Sequence, residues 1–249
     1  MDGRPASLRC SPNEAHRARV CARIRPRVVH ICARVKPSTD VCEEASAPPA
    51  GANRPSRNPV ILVHGLKDDS RKMRRMARHL SAAGWETHPV SVLPSWGQLG
   101  IDELAAQLAD HVERLIGPGR RFDLVGFSMG GLVCRYYLQR LGGLARVQRF
   151  VSIAAPHRGS LLAWLIPNRG CRQMRPGSEF LHDLASDVDR LKAIQFTSLW
   201  TPFDLTIVPA TSSLLSAAVC RRMWVVAHPL MVWQGDCIRA VEQALSAKT

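Results

Sequence analysis

From residue 58 onward the chain alternates short β-branched runs with longer stretches of helical spacing, and this alternation restricts the fold more than any other feature. "VILVHG" is a β-branched run closed by glycine, as expected of a strand buried in a parallel sheet. "SRKMRRMARHLSAAG" follows, with Met73, Met76, Ala77 and Leu80 at helical spacing, Ser70 as the expected N-cap and Gly84 as the stop. "WETHPVSVL" reads as a second strand. In "IDELAAQLADHVERLIG", Ile101, Leu104, Ala105, Leu108, Val112 and Leu115 form one apolar stripe. The pattern then predicts strands at "RFDLVGF", "VQRFVSIAAP", "AIQFTSLWT" and "RMWVVAH", and helices over 129–141, 178–191 and "GDCIRAVEQALSA". An irregular, partly apolar segment is expected from Pro156 to about Gly177. Strand–helix alternation of this kind implies right-handed crossovers, parallel strands and helices on both sheet faces. The expectation is one α/β domain over 58–249, with about six mostly parallel strands.

Residues 1–57 differ in kind. They show no sustained period and end in "SAPPAGANRPSRNP", which reads as a disordered leader and linker, with short helix expected around 14–35. They hold 11 Lys/Arg and 5 Asp/Glu, a net of +6 within the chain's total of +14. Such a balance suits nucleic acid or an anionic membrane surface, or simply an arginine-rich solvated surface. No aromatic residue precedes Trp85, so the leader lacks stacking groups for single-stranded nucleic acid, and none is expected as a partner. No apolar run is long enough for a membrane span, and no signal-like apolar stretch follows the N-terminal arginines. The expected location is cytoplasmic. An organelle transit peptide, or a true start near residue 55, is an equally consistent origin for the leader. The eight cysteines lack C-x-x-C spacing, which argues for reduced thiols and against a zinc knuckle, with a Cys171–Cys220 or Cys220–Cys237 bridge as the lesser alternative.

The stretch "FDLVGFSMGGLVCRYYLQR" places Ser128 at the junction of a predicted strand and a predicted helix, inside Gly126-Phe127-Ser128-Met129-Gly130. A serine in a strained corner needs neighbours without Cβ atoms, because strand and helix pass close together there. Such a turn lifts the hydroxyl above the sheet and leaves the Met129 amide at a helix N-terminus, where it can stabilise an oxyanion. The plainer alternative is a glycine-rich turn whose serine only caps the helix.

A serine hydroxyl needs a base, and the base needs a group to orient it. Downstream, "LWTPFDLTIVP" puts Asp204 in a loop after one predicted strand, and "WVVAHPLM" puts His228 after the last. Both sit at carboxyl ends of strands, where open α/β sheets carry their sites. His157 and His182 compete as bases, and Asp183, Asp187 and Asp189 compete as acids from a helix face. In "VILVHGL", His64 and Gly65 allow a sharp turn that presents the Leu66 amide as a second oxyanion donor, with His64 as hydrogen-bonding support.

With these residues in place, the chain resembles the α/β-hydrolases of the lipase/esterase group, and is similar to small bacterial triacylglycerol lipases. The matching pieces are "VILVHGL", "FDLVGFSMGGLVCRYYLQ", "AAPHRGS", "PFDLTIVP" and "VVAHPLM". The resemblance implies Ser128 as nucleophile, His228 as base, Asp204 as acid and the Leu66 and Met129 amides as oxyanion hole, with Gly126, Gly130, His64 and Gly65 in support. It implies hydrolysis of carboxylic esters through an acyl-enzyme. A thioesterase, an acyltransferase or a non-catalytic binding module on the same fold are the alternatives. "SLLAWLIPN" reads either as core or as an acyl-pocket wall or small lid meeting lipid. The expected partner is an ester or lipid substrate, with transient contact to a lipid surface. No metal or nucleotide cofactor is expected, because the histidines lack ligand spacing and no phosphate-binding glycine motif occurs.

Overall fold

A computed structural model describes residues 57–247, which belong to one compact unit. The leader and its expected short helix fall outside the described residues, apart from Arg57. Six strands form one sheet: β1 (Val60–Val63), β2 (Thr87–Val90), β3 (Phe122–Phe127), β4 (Val147–Ile153), β5 (Gln195–Trp200) and β6 (Val219–Arg222). Their order is β2-β1-β3-β4-β5-β6, and every pairing is parallel. Six α-helices accompany them: α1 (Arg74–Ala82), α2 (Ile101–Leu115), α3 (Met129–Arg140), α4 (Arg169–Gln173), α5 (Glu179–Ser186) and α6 (Gly235–Ser246).

The central strands are apolar at successive positions because both of their faces are covered. Ile61, Val63, Leu124 and Phe150 point to one side, where α2, α3 and α5 cover them. Val60, Leu62, Val125 and Val151 point to the other, against α1 and α6. The helices match this arrangement. Met76, Ala77 and Leu80 are the buried stripe of α1, and Ile101, Leu104, Ala105, Leu108 and Val112 that of α2. Leu115, predicted to lie on the α2 stripe, is instead exposed in the last turn.

Several boundaries differ from the sequence reading. Asp69, not Ser70, caps the first helical segment by accepting from the Arg71 amide at 2.8 Å. That segment begins as a 3-10 turn, and α-helix starts at Arg74. The last strand lies at Val219–Arg222, earlier than the predicted "RMWVVAH". The cause is its partner. β5 pairs Thr197 with Val219 through to Trp200 with Arg222 and then ends, so no ladder exists for residues 223–227. His228 therefore lies at the end of a loop, not on the heels of a strand. The segment read as irregular, 156–177, contains α4, and the helix predicted over 178–191 breaks at Ser186 into a 3-10 turn. The described cysteines, Cys134, Cys171, Cys220 and Cys237, are free thiols.

Strand order reverses direction between β1 and β3, so their carboxyl ends open onto the crevice where ligands of such sheets bind. Gly130, in the first turn of α3, passes against the end of β1 here. A Cβ on it would stand 2.6 Å from the Val63 carbonyl oxygen and would also overlap that of His64. Backbone cannot yield cheaply at such a contact. Gly130→Ala is expected to lower unfolding free energy by about 1–3 kcal/mol, the range for overpacked sites. Urea denaturation of both proteins checks this, and an unchanged midpoint would refute the crossing as drawn.

Candidate active site

Ser128 has φ 54 and ψ −123, a conformation that side chains of L-residues rarely adopt. Its own backbone holds it there: the amide donates to the Ile153 carbonyl at 2.8 Å, and its carbonyl accepts from the Gly131 amide at 3.0 Å. The flanking glycines make the corner physically feasible. A Cβ on Gly126 would lie 2.7 Å from the Gly130 carbonyl oxygen and 2.8 Å from the Gly131 amide nitrogen. Met129 is the first residue of α3, so its amide has no acceptor one turn back in the helix. Gly65 packs so tightly on the elbow that an added Cβ would sit 3.0 Å from that of Ser128.

Asp204 and His228 meet although 24 residues separate them. His228 Nδ1 donates to Asp204 Oδ2 at 2.7 Å, and both side chains are buried. Asp204 Oδ1 accepts from the Thr206 and Ile207 amides, each at 2.9 Å. With its Nδ1 proton committed, His228 keeps Nε2 as an acceptor. The Phe127 ring lies 4.9 Å from the His228 ring, so the residue before the serine sets the imidazole against the elbow. The Ser128–His228 hydrogen bond is the one link not made in this arrangement, and such bonds commonly tighten only when substrate is bound. The sequence reading named three residues, of which the fold joins Asp204 to His228 directly and sets the His228 ring beside Phe127, the neighbour of Ser128. It missed Phe127, whose aromatic ring in a buried strand carried no signal beyond core.

A second layer fixes the acid loop. Ser160, in the "AAPHRGS" loop, donates to the Thr206 carbonyl at 2.8 Å and accepts from the Val208 amide at 3.0 Å. The Leu161 amide adds a bond to the Val208 carbonyl at 2.8 Å. Thr201 Oγ1 donates to the Val225 carbonyl at 2.7 Å, tying the Asp204 loop to the one carrying His228. A lone serine or threonine in a loop gives no hint of such a role in sequence.

The competing residues lie elsewhere. His157 is buried, its Nε2 lies 2.9 Å from Ser152 Oγ, and burial lowers its pKa well below the ordinary histidine value. His182 is exposed on α5. Asp183 and Asp187 bind Arg140, and Asp189 binds Lys192. His64 is hydrogen-bonded within its own loop and to the segment after β2. The Val92 amide donates to its Nε2 at 3.1 Å, so the proton lies on Nδ1, which donates to the Gly65 carbonyl at 2.9 Å. Burial lowers the His64 pKa, the largest influence on it. Most of "SLLAWLIPN" is exposed, with Ala163 its one buried apolar residue, so the core alternative for this run fails. Among the described residues, no group of three His, Cys, Asp or Glu could hold a metal, and no helix is long and apolar enough to cross a membrane.

Residues 59–175 match the family model described as palmitoyl protein thioesterase. Human lysosomal thioesterase PPT2 is 32% identical over 128 residues, which cover 46% of this chain and 41% of that protein. The Bos taurus counterpart is 34% identical over 134 residues, covering 46% and 40%. The chain thus aligns with about two fifths of the length of these curated relatives. The matched segment contains His64 and Ser128 and ends before Asp204 and His228. Among solved structures, Bacillus licheniformis lipase BlEst2 in mature form aligns with a TM-score of 0.63 and 18% identity, covering 80% of this chain and 96% of that one. Aspergillus fumigatus lipase B aligns at 0.66 and 15%, covering 77% and 53%. The fold is that of the α/β-hydrolases, as in these lipases, with all six strands parallel.

Because its folded-state pKa lies below the ordinary value, His64 is expected to be less than half protonated at pH 6.5. Nitrogen-15 NMR of the imidazoles across pH 8 to 5.5 checks this. A His64 titration centred at or above 6.5 would contradict the desolvation that lowers its pKa.

Proposed function

We propose that the chain is a serine hydrolase that cleaves acyl thioesters, and carboxylic esters as well, through an acyl-enzyme. One observation carries the reading: a serine held at φ 54 between a strand and a helix, in the crevice where a buried His228–Asp204 pair converges. In the resulting mechanism, Ser128 Oγ attacks the acyl carbonyl carbon and His228 Nε2 takes the hydroxyl proton. Asp204 holds the ring and stabilises the imidazolium. The carbonyl oxygen becomes an oxyanion, stabilised by the amides of Leu66 and Met129. Collapse breaks the bond to the leaving group, which takes the Nε2 proton from His228 as or after it departs, and leaves Ser128 acylated and His228 neutral. Water then donates a proton to His228 while attacking the acyl carbon, and the acid departs as Ser128 recovers its proton.

Sulfur is favoured over oxygen in the leaving group by the family-model match and by relatives named thioesterases. Chemistry agrees with that preference. A thiol of pKa ~8.5 departs largely as thiolate, whereas an alkoxide requires the His228 proton at the moment of cleavage. The oxygen-ester reading is supported by the exposed Leu161, Leu162, Trp164 and Leu165 beside the acid loop, which suit an acyl chain. The relatives' names place those proteins in the lysosome, so the cytoplasmic expectation is not carried further.

Ser128→Ala is expected to lower turnover of a palmitoyl thioester by at least about 10³-fold and to abolish labelling by a fluorophosphonate probe. Asp204→Asn is expected to cost about 10²–10⁴-fold in kcat, because the ring loses its tautomer and orientation. Steady-state kinetics on palmitoyl thioester and p-nitrophenyl palmitate, run side by side, check both. Equal rates for wild type and Ser128→Ala would reject the nucleophile. A higher kcat/KM for the oxygen ester would make the chain an esterase first.

A further inference from the structure

The exposed large apolar side chains are unevenly placed. Of fourteen such residues among those described, twelve lie on loops that follow the carboxyl ends of strands, around the crevice of Ser128; Leu115 and Val219 are the exceptions. Four of the twelve are tryptophans: Trp96, Trp164, Trp224 and Trp233, between 44% and 66% exposed. Cations accompany them. Lys67 Nζ lies 5.2 Å from the Trp96 ring centre, the Arg175 guanidinium 4.5 Å from that of Trp164, and the Arg222 guanidinium 4.7 Å from that of Trp224. Trp233 lines a cleft of about 480 Å³ whose other walls are Arg71, Arg74, Arg75 and Arg78.

Those four arginines recur at the i, i+3, i+4, i+7 spacing of one helix face, opposite the buried Met73, Met76 and Leu80. Arg71 pairs with Asp69, and Lys72 lies 3.9 Å from Asp68. Arg74, Arg75 and Arg78 have no carboxylate partner among the described residues. Residues 70–84 contain no acid, and neither does the loop 223–234.

We propose that this edge docks on anionic phospholipid bilayers. The arginine face of α1 takes lipid phosphates, and the tryptophan loops enter the headgroup region. Guanidinium groups pair with phosphate through two parallel hydrogen bonds, and indole rings prefer the depth where one end is apolar and the other wet. Other occupants fit less well. A second copy would set its own arginines against these, and like charges repel. The leader, with its net charge of +6, is equally uncomplementary. A purely apolar partner would leave the arginines desolvated and unpaired. Docking of this kind brings acyl groups held in a membrane to the crevice, and it does not depend on the hydrolase reading.

The test uses the full chain carrying Ser128→Ala, so that binding is read without turnover. Sedimentation with vesicles of phosphatidylcholine alone, and of phosphatidylcholine mixed with phosphatidylserine, measures partitioning. Binding to the mixed vesicles is expected to be at least about tenfold stronger and to fall as salt is raised. Joint charge reversal, Arg74→Glu with Arg75→Glu and Arg78→Glu, is expected to remove most of that gain, with circular dichroism and thermal melting confirming the fold. Trp224→Ser with Trp233→Ser is expected to weaken binding to both vesicle types. Equal binding to neutral and anionic vesicles would overturn the proposal. So would full retention by the charge-reversed chain, which would assign the attraction to residues 1–57. Absent hydrolysis by wild type alongside selective vesicle binding would sink the hydrolase reading and leave docking standing.

Discussion

The site depends on a steric crossing. At the point where strand order reverses, the ends of β1 and β3 and the first turn of α3 approach within contact distance of one another's backbone. Gly65, Gly126 and Gly130 stand where any side chain would collide with a neighbouring main chain or with the Ser128 side chain. That closeness holds Ser128 at φ 54 between β3 and α3. The strain at one residue is compensated by ordinary backbone bonds from Ile153 and Gly131.

Around that fixed corner Asp204 and His228 stand on loops, and each loop is held by polar side chains from another. Ser160 links the loop after β4 to the Asp204 loop, and Thr201 links the latter to the His228 loop. Asp204 spends one oxygen on its own loop and the other on His228, which makes it both a structural cap and an orienting group. Three buried histidines separate by environment. His64 and His157 are kept neutral by desolvation, while His228 alone is buried against a carboxylate. Arg135 shows how far buried polar groups are matched by backbone. Burial pulls its pKa down to about 10, and its guanidinium bonds the carbonyls of His157 and Leu184, behind the "AAPHRGS" loop.

The legible parts of this molecule were those written in local periodicity. The stripe of α2 and the strand–corner–helix around Ser128 are short-range patterns, and the structure places them within a residue or two of where the sequence puts them. The last strand was misplaced because a strand's extent depends on its partner. Nothing in "RMWVVAH" records that β5 stops at Trp200. The predicted N-cap failed for a related reason: Ser70 and Asp69 both suit a cap, and the outcome follows from the 3-10 turn that precedes α1. Ser70's amide is instead bonded to the Ser91 hydroxyl, a contact from outside the segment.

By itself the sequence determined the fold class, the position of the strained serine and the chain order of Ser128, Asp204 and His228. Those follow from side-chain volume and spacing along a single stretch of chain. Only the tertiary structure set His228 Nδ1 donating to Asp204 Oδ2 while the helix-face aspartates bind Arg140 and Lys192, and only it placed Phe127 and Ser160 beside the pair. It alone decided that Leu161, Leu162, Trp164 and Leu165 face outward, and that the arginines of α1 share a cleft with Trp233. Each of these depends on which loops the parallel crossovers bring to the same edge of the sheet. That is a long-range consequence of strand order, and local pattern does not encode it.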